Sequence, residues 1–162
     1  MKSLSTLILA FILALIPATT LISEGIVISA VVLRVSDGDT IVVRTADFED
    51  IRVRLYGIDA PESKQPGGAE ATKALRVLQG QRVTTREMDT DRYGRMVGLV
   101  EYAGRSVNLD LVAQGHAWHY GRYCKAQPIC GKIKKAEAAA RKAGLGLWQD
   151  KAPMPPWEWR RQ

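Results

Sequence analysis

Three short stretches of this chain carry side chains whose types and spacing could do chemistry. The first runs Arg52-Val53-Arg54-Leu55-Tyr56-Gly57-Ile58-Asp59-Ala60-Pro61-Glu62 and gathers Arg54, Asp59 and Glu62 near one strand end. Upstream, Val35-Ser36-Asp37-Gly38-Asp39-Thr40-Ile41 sets Asp37 and Asp39 on either side of Gly38. Downstream, Asp91-Arg92-Tyr93-Gly94-Arg95 adds Arg95. The carboxylates of Asp39 and Asp59 are hard oxygen donors that suit Ca²⁺ or Mg²⁺. The planar forks of Arg54 and Arg95 can grip phosphate oxygens in pairs. Glu62 is then free to orient or deprotonate a water molecule. A phosphodiester needs these parts, because its own negative charge repels a nucleophile. Each residue also has a plainer use: Arg54 on a strand surface, Asp59 in a turn, Glu62 as a solvated charge. A cation and two carboxylates at one strand terminus suit a metal and a phosphate better than they suit a core.

The elements that must position these groups follow from local pattern. Ile26 to Val35 is rich in Val and Ile and is expected to be a first strand. Asp37-Gly38 signals a hairpin. Thr40 to Thr45 is the second strand and Ile51 to Gly57 the third, with Val53 and Leu55 on the apolar face. Lys64 to Gly68 is a loop. Ala69 to Gln79 is a helix with Ala71, Ala74, Leu75 and Leu78 in one stripe, ended by Gly80. Arg82 to Met88 and Arg95 to Tyr102 are the fourth and fifth strands. Ser106 caps a short helix running to Gln114, and Gly131 to Ala143 is a longer one stopped by Gly144. Trp148 is expected to pack back on the barrel. Pro153 to Gln162 is expected to run extended over the surface, with Trp157 and Trp159. Five strands with a helix between the third and fourth match an OB-fold, although another small α+β barrel fits the same pattern.

Four blocks, "SDGDT", "RVRLYGIDAPE", "DRYGR" and "VNLDLVAQGHAW", stand in an order and at a spacing that resemble the thermonuclease, or staphylococcal-nuclease-like, family. The resemblance covers roughly Ile26 to Trp148. It implies a mainly β, α+β OB-fold: a five-stranded Greek-key barrel with about three helices. It implies a calcium-dependent nuclease that hydrolyses phosphodiesters in DNA and RNA and leaves 3′-phosphates. Asp39 and Asp59 map to the family's metal ligands, with the backbone carbonyl of Ala60 as a third. The best-known member has threonine where this chain has Ala60, and a carbonyl donor does not need the hydroxyl. Glu62 maps to the general base, and Arg54 and Arg95 to the two catalytic arginines. Asp37 either tunes the metal from outside its ligand shell or only forms the turn. Tyr93, and Tyr123 after it, are candidates to stack on a base or bind phosphate; the alternative for each is a packed loop tyrosine. His116 is read as structural, His119 as a surface residue near the substrate groove, and Trp118 as core.

Bulk properties agree with this reading without requiring it. The chain has 162 residues, enough for one domain with a core. Its net charge is +6 and its pI about 9.5, which favours polyanionic partners. Residues 1–23 have the layout of a secretory signal peptide, with Lys2 followed by an apolar run from Leu7 to Ile16; an uncleaved anchor is the alternative. Their removal leaves 22 basic and 17 acidic residues, a charge of +5. Residues 24–162 then form a single domain with a Pro- and Trp-rich tail from about residue 151. Cys124 and Cys130 are expected to pair in an oxidising compartment, periplasmic or extracellular. A Cys2His2 metal site with His116 and His119 fits finger spacing poorly. Single-stranded DNA and RNA are the expected partners, with no obligate protein partner and a monomeric state. The rivals are a non-catalytic OB-fold that binds single strands, and an exported structural domain whose basic face meets anionic lipid or cell-wall polymer.

Overall fold

The computed structural model describes residues 25–162, so the expected leader lies outside the described residues. β1 (Val27–Val35), β2 (Thr40–Arg44) and β3 (Asp50–Leu55) form an antiparallel meander. β4 (Ile58–Asp59) follows after a tight bend, then helix α1 (Gly68–Arg76), β5 (Arg82–Thr90) and β6 (Met96–Tyr102). β5 pairs with both β1 and β6, and β3 pairs with β6 in parallel, so the sheet closes through β1, β2, β3, β6 and β5. That closed mixed barrel with helices packed on it is the expected OB-fold. Closure leaves none of the five strands with a free long edge.

Inward-facing β-branched and aliphatic side chains fill the barrel: Val32, Ile41, Val43, Val53, Leu55, Val83 and Val100 are each at most 1% exposed. Burying each such side chain contributes about 1.5–3 kcal/mol. Ala71 and Leu75 of α1 add to the same core. After β7 (Arg105–Ser106), the Ser106 hydroxyl accepts from the Leu109 amide at 3.4 Å and caps α2 (Val107–Ala113), as the sequence indicates. Buried Asn108 ties the helix to the barrel. Its Oδ1 accepts from the Val100 amide at 2.9 Å, and its Nδ2 donates to the Tyr56 and Gly98 carbonyls.

β8 (Trp118–His119) pairs with β4, and α3 (Ile129–Ala143) begins two residues earlier than its sequence pattern indicates. Two expectations are corrected beyond it. Trp148, in a 3-10 turn over Gly146–Gln149, packs with Trp118 and Ala140 in a second small cluster, apart from the barrel core. The tail is not simply extended: Pro156 starts a four-residue helix, α4 (Pro156–Trp159), because its fixed φ and missing N–H suit a first helical turn. Among the described residues no helix is long and apolar enough to cross a membrane.

Candidate active site

The three carboxylates and the arginine nearest to them meet where β2 begins and where β3 and β4 end. The chain turns at Asp37-Gly38-Asp39, and the Asp37 carboxylate accepts from the Asp39 amide at 3.0 Å. Gly38 is required there: a Cβ would lie 2.7 Å from the Cβ atoms of both Ala60 and Ala71. The turn is thus pressed against the Asp59-Ala60 segment. Asp39 Oδ2 accepts from the Ala60 amide at 2.9 Å, which locks the two blocks together across 21 residues of sequence. Arg54, at the end of β3, donates Nη1 to Asp39 Oδ1 at 2.5 Å and Nη2 to Asp59 Oδ1 at 2.8 Å. One guanidinium therefore spans the two aspartates expected to bind metal.

Burial makes these contacts matter. Asp59 is fully buried, and Asp39 is 4% exposed. Burial pushes the Asp59 carboxyl up, against hydrogen bonds and charge from Arg160 and Arg54. Burial, and then the neighbouring Asp39 carboxylate, raise Asp37 to about 6. For Arg54, burial works against the charge, but Asp39 and Asp59 outweigh it and hold the guanidinium above its ordinary range. Arg54 is a fixed cation, unable to act as an acid.

Glu62 directly follows Pro61 and is half-buried, with its amide donating to Gln65 Oε1 at 3.1 Å. Its carboxylate receives Arg160 Nη1 at 2.6 Å. The same guanidinium donates Nη2 to Asp59 Oδ2 at 2.6 Å. Arg160 is the residue that sequence reasoning missed. The available signal was a basic pair, Arg160-Arg161, directly after an aromatic anchor, Trp157 and Trp159, in a Pro-rich tail.

Arg95 is placed differently. It precedes β6, the strand that closes against β3, and it is held within its own turn: Nε donates to Asp91 Oδ2 at 2.7 Å. Burial alone would raise the Asp91 carboxyl, but hydrogen bonds from Arg95 and Tyr93 hold it below the usual range. Tyr93 is 67% exposed beneath the Arg92 and Arg95 guanidiniums, and Tyr123 is 57% exposed. Both rings reach solvent beside arginines, Tyr123 next to Arg122 and Tyr120, and neither hydrogen-bonds to the carboxylate cluster. The expectation of His119 as a surface residue is corrected: its ring is half-buried and its Nε2 is enclosed without a partner, because β8 packs it under α3. His116 is half-buried and Trp118 is 5% exposed. Cys124 and Cys130 form a disulfide. Its loop braces the β3–β4 bend: the Tyr56 hydroxyl accepts from the Lys125 and Ala126 amides, and a Cβ on Gly57, at φ +75°, would lie 2.5 Å from Cys124 Sγ.

The donors at this barrel end are hard oxygens, the correct chemistry for calcium or magnesium. The aspartates also share one guanidinium, so a common cation is within reach of both. Among the described residues, however, no group of three or more His, Cys, Asp or Glu side chains is arranged as a cage for an ion.

Buried acids and arginines at one end of a small closed barrel supply the charged groups that phosphodiester chemistry needs. The profile described as "Staphylococcal nuclease homologue" matches residues 52–150. A "Micrococcal nuclease" from Shigella flexneri is 41% identical over 140 residues, covering 80% of this chain and 79% of that protein. An "Uncharacterized endonuclease" from Haemophilus influenzae is 40% identical over 132 residues, covering 81% and 72%. The "Staphylococcal-like nuclease CAN1" of Arabidopsis thaliana is 40% identical over 111 residues, covering 68% of this chain and 33% of that protein. The chain belongs to the staphylococcal nuclease homologue family and is a nuclease by that membership.

Proposed function

We propose that the chain is an exported, calcium-dependent nuclease that hydrolyses DNA and RNA, prefers single strands, works as a monomer and leaves 3′-phosphates. The observation that carries this reading is the meeting of Asp39, Arg54, Asp59 and Glu62 at one barrel end. Asp39, Asp59 and the Ala60 carbonyl would hold the ion, with water or phosphate oxygens completing its shell. When bound, calcium would neutralise phosphate charge and orient the scissile group. Arg54, held by Asp39 and Asp59, keeps a permanent positive charge beside the phosphate and offers it the N–H groups that the aspartates leave unused. Glu62 takes a proton from the attacking water. The new oxygen–phosphorus bond forms as the bond to O5′ breaks, and the departing 5′-oxygen takes a proton from solvent water to leave as a hydroxyl. Arg95 stabilises the charge that develops on the phosphorus-bound oxygens. Asp37 adjusts the aspartate pair from outside. The exposed Tyr93 and Tyr123 offer faces on which unpaired bases can stack, which supports the single-strand preference. The disulfide supports export, since such bonds persist in oxidising compartments.

The test is cleavage of single-stranded DNA, duplex DNA and RNA in calcium, in magnesium and in chelator, with end-group analysis. Cleavage in calcium, abolished by chelator, and 3′-phosphate ends are expected. Undiminished cleavage in excess chelator overturns the metal reading. Tight oligonucleotide binding without cleavage in any metal would make this a binding module instead.

A further inference from the structure

Arg160 reaches the acidic cluster from the far end of the chain, 101 residues from Asp59. Its approach is built, not incidental. Trp157 stacks flat on Tyr120, with ring centroids 5.2 Å apart and an interplanar angle of 0°, and meets Trp118 edge-on at 5.7 Å. Pro156 is buried. Gln65, which is 5% exposed and shapes the Glu62 turn through its Oε1, donates Nε2 to the Met154 carbonyl at 2.7 Å. The segment carrying Arg160 is therefore fastened to both the β8 region and the turn that presents Glu62. At its end, Arg160 makes three hydrogen bonds, to Asp59 Oδ1, Asp59 Oδ2 and Glu62 Oε1. Asp59 is thereby enclosed between two guanidiniums.

The charges in direct contact favour an exchange. Asp39, Asp59 and Glu62, with Asp37 beside them, face only Arg54 and Arg160, so the carboxylates outnumber the guanidiniums. Replacing Arg160 with a divalent cation would lower that negative excess by one charge. Keeping both would place like charges on the same Asp59 oxygens, where a buried site screens little. Arg160 is 39% exposed, so it can swing into solvent without opening the fold, whereas Arg54 cannot leave its strand.

We propose that the C-terminal segment is an internal competitor of the catalytic cation: Arg160 occupies Asp59 and Glu62 and must release Asp59 before a divalent ion binds. The proposal rests on the calcium reading above. It makes cation affinity a property of how firmly Trp157 and Gln65 hold the tail. A ligand that must displace a closed arm binds more weakly by the fraction of time the arm is open. Anything that draws the tail away, including a polyanionic substrate attracted to Arg160 and Arg161, would then favour loading of the cation.

The experiment is calorimetric titration of calcium into the full-length, chelator-stripped protein, without nucleic acid. The wild type is compared with R160Q, which removes the competing charge, and W157A, which loosens the arm without touching a carboxylate. R160Q is expected to tighten calcium binding by about tenfold, for an arm closed about nine-tenths of the time. W157A should shift it in the same direction by less. Circular dichroism and thermal melts establish that each variant is folded. Calcium binding equal to or weaker than wild type in both folded variants overturns the proposal while leaving the calcium reading standing. Absence of calcium binding in all three proteins overturns both.

Discussion

Two arginines, Arg54 and Arg95, are assigned the same kind of work, yet the molecule holds them in opposite ways. Arg54 lies in a strand, with both forks spent on buried aspartates from two other elements. Arg95 lies at the edge of a hairpin, paired with Asp91 four residues away and resting on an exposed tyrosine. A buried ion pair is costly to break, because removing one partner strands the other charge away from water. A pair within one turn, each of whose members keeps about a fifth of its side chain in water, strands less charge when it is broken. Arg54 should therefore be structural and functional at once, and Arg95 functional alone. The barrel end is tied together by contacts among several elements, whereas the Asp91–Arg95 turn is held by contacts within itself.

The largest expected effect tests whether the barrel end does chemistry at all. E62Q keeps the size and the contact with Arg160 but removes the base. It should lower single-turnover cleavage by ~10²–10⁴, with oligonucleotide affinity nearly unchanged. A wild-type rate would remove Glu62 from the mechanism and leave Asp59-Ala60-Pro61-Glu62 as a metal-holding turn only.

The sharpest probe of the comparison is a pair of variants. R54A and R95A should both slow cleavage strongly, through lost charge stabilisation. In urea unfolding they should separate: R54A should cost about 3–5 kcal/mol, the usual penalty for stranding a buried charge. R95A should cost under about 1 kcal/mol. Equal losses of stability would break the contrast between the two arginines.

A smaller effect is expected at the brace behind the bend. Replacing both Cys124 and Cys130 with serine opens a loop with a sequence separation of 6. The loss should be at or below about 3 kcal/mol on the chain-entropy estimate. Because the loop holds Tyr56 and Gly57, cleavage should fall along with stability. Thiol titration of unreduced, denatured wild type should find no free thiol. Full activity in the serine variant would show that the bend needs no brace.

The smallest effect concerns acid. Burial lowers both His116, despite Glu70 beside it, and His119, which has Glu137 in its favour and Lys134 against it. A lowered folded pKa means that the unfolded chain binds protons first. The stability these rings provide is complete above the ordinary value of 6.5 and is lost as pH falls through the folded values. Asp37, raised by burial to about 6, acts in the opposite sense. The quantity to read is thus the difference between variants. H116N should lose less stability than wild type between pH 7.5 and 5.5, as measured by urea midpoints. An equal or greater loss would assign the acid sensitivity elsewhere.

Much of this molecule was legible in residue order because its determinants are local. Alternation in Val53 and Leu55, the Asp37-Gly38 turn, the Ser106 cap and the Gly80 and Gly144 stops each act within a few residues. Those signals located the five barrel strands and three of the helices, with small shifts at their ends. The identities of Asp39, Arg54, Asp59, Glu62 and Arg95 as candidates were likewise available, because charge and ligand hardness belong to residue types. What residue order could not supply was the partner of each charge. Arg54 contacts Asp39 because β2–β3 pairing sets Thr40 opposite Arg54, and Asp59 because the bend at Gly57 turns β4 back past the end of β3. Arg95 turns to Asp91 because its hairpin offers a nearer carboxylate. Arg160 reaches Asp59 only after Trp157 has found Tyr120, a contact between segments with no shared local pattern. Periodicity reports which face of an element is buried; which distant group meets a buried charge is decided by the packing of the whole chain.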